Sequence, residues 1–387
     1  MAAPFANYQN EIYLKGTTGE RPPFTTDLSR LEDAAREALT PEAFGYVAGS
    51  AGSGSTARAN RAAFERWRIV PRMLRDVSER DLSTTVLGAT MPAPVLLAPV
   101  GVQTIVHPDG ELASARAAAA EGLVFIHSTA AAHSIEQVAE ASGDGRRWYQ
   151  LYWPNDRDVA ASLDGRAEAA GYSVLMVTLD TFVMGWRPTD LDVAYLPFLQ
   201  SIGIANYLTD PAFNAPLPAD AQPFDKVFRW AGIFGNPSLT WADLAWLREQ
   251  TSLPVVLKGV LHPDDARAAV DAGVDGLVVS NHGGRQVDGA IAALDALPAV
   301  LDAVGDTMPV LLDSGVRTGA DVVKAIALGA AAVLLGRPYI YGLGLGGQAG
   351  VEHVLRCLLG EMDVTMALSG RRTLAELGRD VVVTAPA

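Results

Sequence analysis

Eight short apolar runs, recurring with helical stretches between them, constrain the fold of this 387-residue chain more than any other feature. They read PVLLAP (94–99), LVFIHS (123–128), WYQLYW (148–153), VLMVTLD (174–180), PVVLKG (254–259), GLVVSN (276–281), PVLLDS (309–314) and AVLLGR (332–337). Each is continuously apolar rather than alternating, the mark of a strand covered on both faces. Between them, segments such as GELASARAAAAEG, HPDDARAAVDAG and TGADVVKAIALGA place alanine and leucine at helical spacing and close on glycine. Eight β-α units predict an α/β fold of the closed (β/α)₈, or TIM, barrel type, with reactive groups at the C-terminal ends of the strands. Residues 1–90 are expected to form an N-terminal helical segment packed on a barrel of residues 91–387.

One connection breaks the rhythm. The fourth run ends at Asp180 and the fifth begins near Pro254, and the stretch ANYLTDPAFNAPLPADAQPFD (205–225) is rich in Pro, Asp and Ala with no long helical period. Such long connections are usually lids or disordered segments. Because this one leaves from the face where a barrel keeps its site, a lid over 188–235 is expected.

Composition excludes several function classes. A net charge of −14 disfavours a nucleic-acid partner, which calls for a basic surface. No run of about 18 apolar residues occurs, so no membrane partner is expected. A single cysteine, Cys357, permits no intrachain disulfide and fits a reducing, cytoplasmic setting. Neither HExxH nor paired-cysteine spacing is present, and no metal is expected.

The strand ends carry the chemistry. The first gives Pro99, Val100 and Gly101; the second, Ser128; the third, Gln150 and Tyr152; the fourth, Thr178 and Asp180, followed by Arg187. The fifth gives Lys258; the sixth, Ser280, Asn281, His282 and Arg285; the seventh, Asp313, Ser314, Gly315 and Arg317; the eighth, Gly336 and Arg337. The last two clusters pair glycines that free backbone N–H groups with arginines, which suits a phosphate. His107 and His262 have the look of turn and helix-start residues. His127, beside Ser128, either borders the site or packs.

In these motifs, SNHGGRQ-D with APVGVQ, YQLYW, TLD, LKG, LDSGVR and LGRP, the chain resembles the FMN-dependent α-hydroxy acid oxidising family from about Glu42 to Gly370. FGYVAGSAG and GWRPTDL are most similar to its lactate monooxygenase branch, although this chain reads GSAGSGST (49–56) where relatives usually carry an acidic residue. The resemblance implies an FMN cofactor, a small 2-hydroxy acid and molecular oxygen as reactants, and a homotetramer or homo-octamer. It puts Tyr46, Tyr152, Asp180, Arg187, Lys258, His282 and Arg285 at active-site positions. Ser128, Gln150, Thr178, Lys258, Ser280, Asp313, Arg317, Gly336 and Arg337 fall at FMN positions, with Pro99, Val100, Gly101, Ser314 and Gly315 assigned beside them.

The residue types suit these roles. Arg187 and Arg285 can clamp a carboxylate with Tyr46 donating, because a guanidinium matches a carboxylate in a planar fork. His282 can accept a proton near neutral pH, Asp180 can stabilise the resulting imidazolium, and Lys258 can balance charge on the reduced flavin. Ala130, Trp186 and the region near Tyr207 are candidates for the substrate side-chain pocket. Gly101 leaves space beside the expected flavin, which with GWRPTDL favours oxidative decarboxylation of lactate to acetate. Release of the 2-keto acid and peroxide by an oxidase is the alternative, and an FMN-dependent barrel isomerase a more distant one.

Overall fold

A computed structural model of the chain describes residues 4–385. The strands close into a parallel barrel in chain order. They are β1 (Val95–Leu97), β2 (Val124–Ser128), β3 (Arg147–Leu151), β4 (Leu175–Thr178), β5 (Val255–Val260), β6 (Gly276–Val279), β7 (Val310–Leu312) and β8 (Val333–Leu335). Closure is made by β8 on β1, with Val333 opposite Val95 and Leu335 opposite Leu97.

The continuous apolar runs are explained by two separate cores. Successive residues of a strand point to opposite faces. Leu96, Ile126, Trp148, Met176, Val256, Val278, Leu311 and Leu334 therefore meet inside the barrel. Their neighbours, including Leu97, Phe125, Tyr149, Leu175, Leu257 and Leu312, face outward against the helices. Both sets are dry, so neither face of a strand needs polar residues.

The N-terminal segment is helical at Asn7–Gly16, Leu31–Ala38, Pro41–Ala48 and Ser55–Arg66. It is not helical throughout. Thr84–Val86 and Ala89–Met91 form an antiparallel hairpin whose Val86, Ala89 and Met91 join the inner core, and Trp67–Ile69 pairs with Val382–Thr384. The barrel interior needs apolar cover at the end away from the site, and the hairpin supplies it.

The β4–β5 connection is ordered as short helices: Pro188–Asp192, Ala205–Leu208, Pro211–Asn214, Pro223–Ile233 and Asp243–Gln250. Proline opens three of them, where its missing N–H costs nothing and its fixed φ suits the first turn. The connection is anchored on the barrel through polar groups: Asn206 Nδ2 donates to the Ser128 and Thr129 carbonyls, both at 3.1 Å, and Arg166 pairs with Asp210 at 3.0 Å. Tyr207, Phe213 and Trp230 are buried beneath it.

Candidate active site

Two residues beyond the inner apolar layer, the same inward strand positions carry Ser128, Gln150, Thr178, Lys258, Ser280 and Asp313. Strand alternation thus turns the top of the barrel polar while its middle stays dry. His127 is out of phase with this set. It packs outward between the Tyr149 and Tyr172 rings, with Nε2 3.4 Å from Asn206 Oδ1, and burial pushes its pKa down to about 4. Of the two readings for His127, packing is the one realised.

A cavity of about 160 Å³ opens at these strand ends. Tyr46, Tyr152, Arg187, Lys258, His282 and Arg285 line it, as do Pro99, Val100 and Gly101 from the end of β1. Asp313, Ser314, Gly315 and Arg317 from β7, and Gly336 and Arg337 from β8, complete its other side. The remaining expected residues stand behind this surface. Ser128 Oγ donates to Gln150 Oε1 at 2.8 Å, and Ser280 Oγ accepts from Lys258 Nζ at 3.0 Å. Thr178 and Asp180 border a neighbouring cavity instead.

His282 is held from three sides. Its Nδ1 lies 2.8 Å from Asp180 Oδ1 and 3.2 Å from Thr181 Oγ1, and its backbone N–H donates to Ser280 Oγ at 3.0 Å. With Nδ1–H given to the carboxylate, Nε2 is left as an acceptor, and the Tyr152 hydroxyl stands 3.3 Å from it. Burial lowers the His282 pKa against the opposing pull of Asp180, so the ring is neutral at neutral pH. Burial alone would raise the Asp180 carboxyl, but His282 and then Lys258 hold it at about 2. Burial pushes the Tyr152 hydroxyl up to about 12 and keeps it a donor. Both His282 and Ser314 take positive φ, 57° and 73°, conformations that non-glycine residues adopt at a cost and that concentrate at functional sites. Ser314 Oγ repays part of that cost by accepting from Gly283 N at 2.9 Å.

Two guanidinium groups face the same space. Arg285 donates to the carbonyls of Tyr46 and Gly49 at 2.7 and 2.8 Å and lies over the Tyr46 ring at 5.1 Å. Burial, then Arg187 beside it, brings its pKa down to about 9. Arg187 is tied by Nε to the Arg285 carbonyl at 3.1 Å and by Nη2 to Gln286 Oε1 at 2.7 Å. Neither forms a close ion pair with a carboxylate among the described residues, Asp190 acting on them only from farther off, so the pair presents positive charge to the cavity. A carboxylate of a small acid matches that demand.

Residues 35–384 match the model of the FMN-dependent dehydrogenase family. The chain belongs to that family. It is 48% identical to an FMN-dependent alpha-hydroxy acid dehydrogenase of Schizosaccharomyces pombe, over 97% of this chain and 96% of that one. It is 44% identical to an L-lactate oxidase of Lysinibacillus sphaericus, over 95% of each chain. Among solved structures, a mandelate oxidase superimposes with a TM-score of 0.83 at 39% identity, covering 94% of this chain and 99% of the other. The protein is thus an FMN-dependent 2-hydroxy acid oxidoreductase with the (β/α)₈ barrel expected of the family.

The site of this FMN-dependent dehydrogenase fits its cofactor. Gln150 Nε2 is buried without a partner, which leaves a donor aimed at nothing in the protein. Arg317 and Arg337 meet only backbone carbonyls, and burial with the neighbouring Arg337 brings Arg317 down to about 10, as for a cation awaiting an anion. These residues, with Lys258 and the loop glycines, would hold FMN, its phosphate falling to the arginines.

Several contributors were not visible in the strand-end pattern. Thr181 bridges Asp180 and His282, and Gln286 Nε2 donates to the Asp180 carbonyl at 2.7 Å while its other end holds Arg187. Asn60 and Asn281 exchange two 2.8 Å hydrogen bonds that fix the loop before His282. Met184, Phe198 and Phe234 of the β4–β5 connection line the cavity beside Ala130, whereas Trp186 is 74% exposed and Tyr207 is buried away from it. At GSAGSGST, Asp288, the aspartate of the SNHGGRQ-D motif, accepts from Ser53 and Thr56 at the start of the fourth N-terminal helix. Gly101 has a packing reason beside the one expected. A Cβ there would fall 2.3 Å from the Ala130 carbonyl oxygen, so close backbone approach by itself requires glycine at this point of the cavity wall.

Proposed function

We propose that the protein oxidises a small L-2-hydroxy acid, lactate above all, with oxygen as the acceptor. The observation that carries the reading is the convergence of two guanidinium groups, buried Arg187 and half-buried Arg285, with the acceptor nitrogen of His282 around one cavity. Arg187, Arg285 and Tyr46 take the carboxylate, and the fork of Arg285 orients it. His282 Nε2 takes the proton released as the α-carbon is oxidised, and the Asp180 carboxylate stabilises the imidazolium formed. Tyr152 orients the hydroxyl at the same nitrogen. Bound FMN supplies the redox chemistry, accepting two electrons from the substrate and passing them to oxygen. Lys258, paired with Asp313 at 3.2 Å, balances negative charge at the cofactor.

The favoured outcome is oxidative decarboxylation. Lactate and oxygen give pyruvate and hydrogen peroxide; while both share the cavity, peroxide attacks the keto carbon, and acetate, carbon dioxide and water leave. Support for retention comes from the connection over 188–235, which contributes buried Phe198 to the cavity lining and is pinned by Asn206 and Asp210, so that a lid is held at the side of the cavity. The likeness to an L-lactate oxidase favours the second reading, separate release of pyruvate and peroxide. Aerobic turnover of lactate in catalase-free buffer with a peroxide trap distinguishes them: retention gives acetate with little trapped peroxide. Stoichiometric trapped peroxide leaves the oxidase, and absence of flavin bleaching by any 2-hydroxy acid without oxygen sinks both. The enzyme works as a cytoplasmic homotetramer or homo-octamer, a reading supported by the exposed, stacked rings of Phe224 and Phe228, 6.3 Å apart, which suit cover by another subunit.

A further inference from the structure

Beside the catalytic cavity lies a second one of about 400 Å³, between the ends of β3, β4 and β5 and the chain from Phe234 to Leu244. Tyr152, Thr181 and Phe234 border both and form the partition. We infer that this second cavity binds a small aromatic amine, and that the bound amine slows proton transfer at His282 by engaging Asp180. For its effect on catalysis the inference rests on the roles proposed above for these two residues; for binding it does not.

The walls argue for a ring. Trp153, Phe182, Phe234 and Trp241 face the space, closed off by Leu239 and Leu244. Flat aromatic surfaces of this kind take a planar apolar body well and favour a cation beside it. The charges argue for an amine. The carboxylates that reach the cavity are Asp180 and Asp265, and no lysine or arginine lines it. An anion such as the 2-hydroxy acid would be desolvated next to ionised Asp180, which is costly, so a second copy of the substrate is the wrong occupant.

Asp180 supplies the specific contact. Its Oδ1 is taken by His282 Nδ1 at 2.8 Å and by Thr181 Oγ1 at 2.9 Å, while Oδ2 is buried without a partner. Buried carboxylate oxygens are rarely left unmet, and an ammonium donates a charge-assisted hydrogen bond to one. Coupling follows from sharing. The charge on Asp180 stabilises the imidazolium that forms as His282 accepts a proton, and an ammonium on Oδ2 draws on the same charge. Turnover then falls. Capture of the carboxylate by Arg187 and Arg285, which lie in the other cavity, does not.

The test uses the FMN-loaded full chain and tryptamine as probe, with indole-3-acetate and ammonium chloride as controls. Calorimetry is expected to show saturable binding of tryptamine, with indole-3-acetate weaker by about tenfold or more and no saturable binding of ammonium. In steady-state oxidation of lactate, tryptamine lowers kcat and leaves KM unchanged. Leu239→Trp, which fills the cavity from outside the catalytic machinery, abolishes binding and leaves turnover without tryptamine unaltered. Asp265→Lys, a surface change that does not depend on repacking, weakens tryptamine and strengthens indole-3-acetate. No saturable binding of tryptamine, equal binding of indole-3-acetate, competition with lactate, or binding indifferent to both variants would each overturn the inference. Variant-sensitive binding in a protein that oxidises no 2-hydroxy acid upholds the site and overturns the functional reading instead.

Discussion

The two walls of the catalytic cavity rest on different physics. The barrel wall, with Lys258, His282 and Asp313, stands on strand ends whose inward direction is set by the two-residue period and whose roots lie in a dry core. The opposite wall, with Met184, Phe198 and Phe234, stands on the loop and short helices of the β4–β5 connection, held to the barrel by a few polar anchors. Arg187 stands immediately before the lid in sequence and is locked to the barrel through Arg285 and Gln286. The difference separates two tasks. The residues proposed for the chemistry sit on strand ends rooted in the core, and the proposed control over entry and exit sits on a connection with fewer anchors.

Substitutions on either wall test that division, and the largest effect is expected on the barrel side. His282→Ala removes the acceptor without touching the FMN-holding residues, and flavin reduction by lactate should slow by about 10²-fold or more with FMN still bound. Near wild-type reduction in a stopped-flow trace would remove His282 from the chemistry.

Asp180→Asn is expected to cost somewhat less, about 10-fold to 10²-fold in kcat, and it carries a pH signature. His282 must be neutral to act, so activity falls as pH drops through its pKa, which burial already places below the ordinary value of 6.5. Asp180 opposes that lowering, so losing its charge moves the acid limb of the kcat/KM profile to still lower pH. An acid limb that stays in place or moves up would show that Asp180 does not act through His282.

Arg285→Lys keeps the charge but not the planar fork, and kcat/KM for lactate should fall by about tenfold. Equal losses in Arg285→Lys and Arg187→Lys would show that the two guanidinium groups share the carboxylate evenly; a loss confined to Arg285 would make Arg187 chiefly a lock on the lid.

On the lid side the rate is expected to change least, and the products most. Asn206→Ala leaves the Ser128 and Thr129 carbonyls short of a donor, which costs about 1–3 kcal/mol of lid docking. Trapped peroxide should rise at the expense of acetate while flavin reduction stays within about twofold. A product ratio indifferent to Asn206 would place the control of release elsewhere.

The barrel was legible because its signal is local. Eight apolar runs fall within a residue or two of the observed strands, and alternation along each carries the inner polar set from Ser128 to Asp313 without reference to the rest of the chain. The contiguous stretch from Ser280 to Arg285 was legible for the same reason: its residues reach one cavity because they are neighbours in sequence. The hairpin of residues 84–91 was not, since its short strands gain their place only by capping a barrel formed far along the chain.

What the sequence determined by itself is therefore the strand period, the chemistry at the strand ends and, through them, the family. What tertiary structure decided is which groups meet across long separations. It decided that Asp288 would cap the helix beginning at Ser55, that Phe234 and not Trp186 would face the cavity, and that Gly101 would lie against Ala130. It also decided that one oxygen of Asp180 would support His282 while the other faced no protein donor. Periodicity tells a side chain which face to take, but a partner a hundred residues away is chosen by packing, where every pair must close the remaining space and hydrogen bonds together.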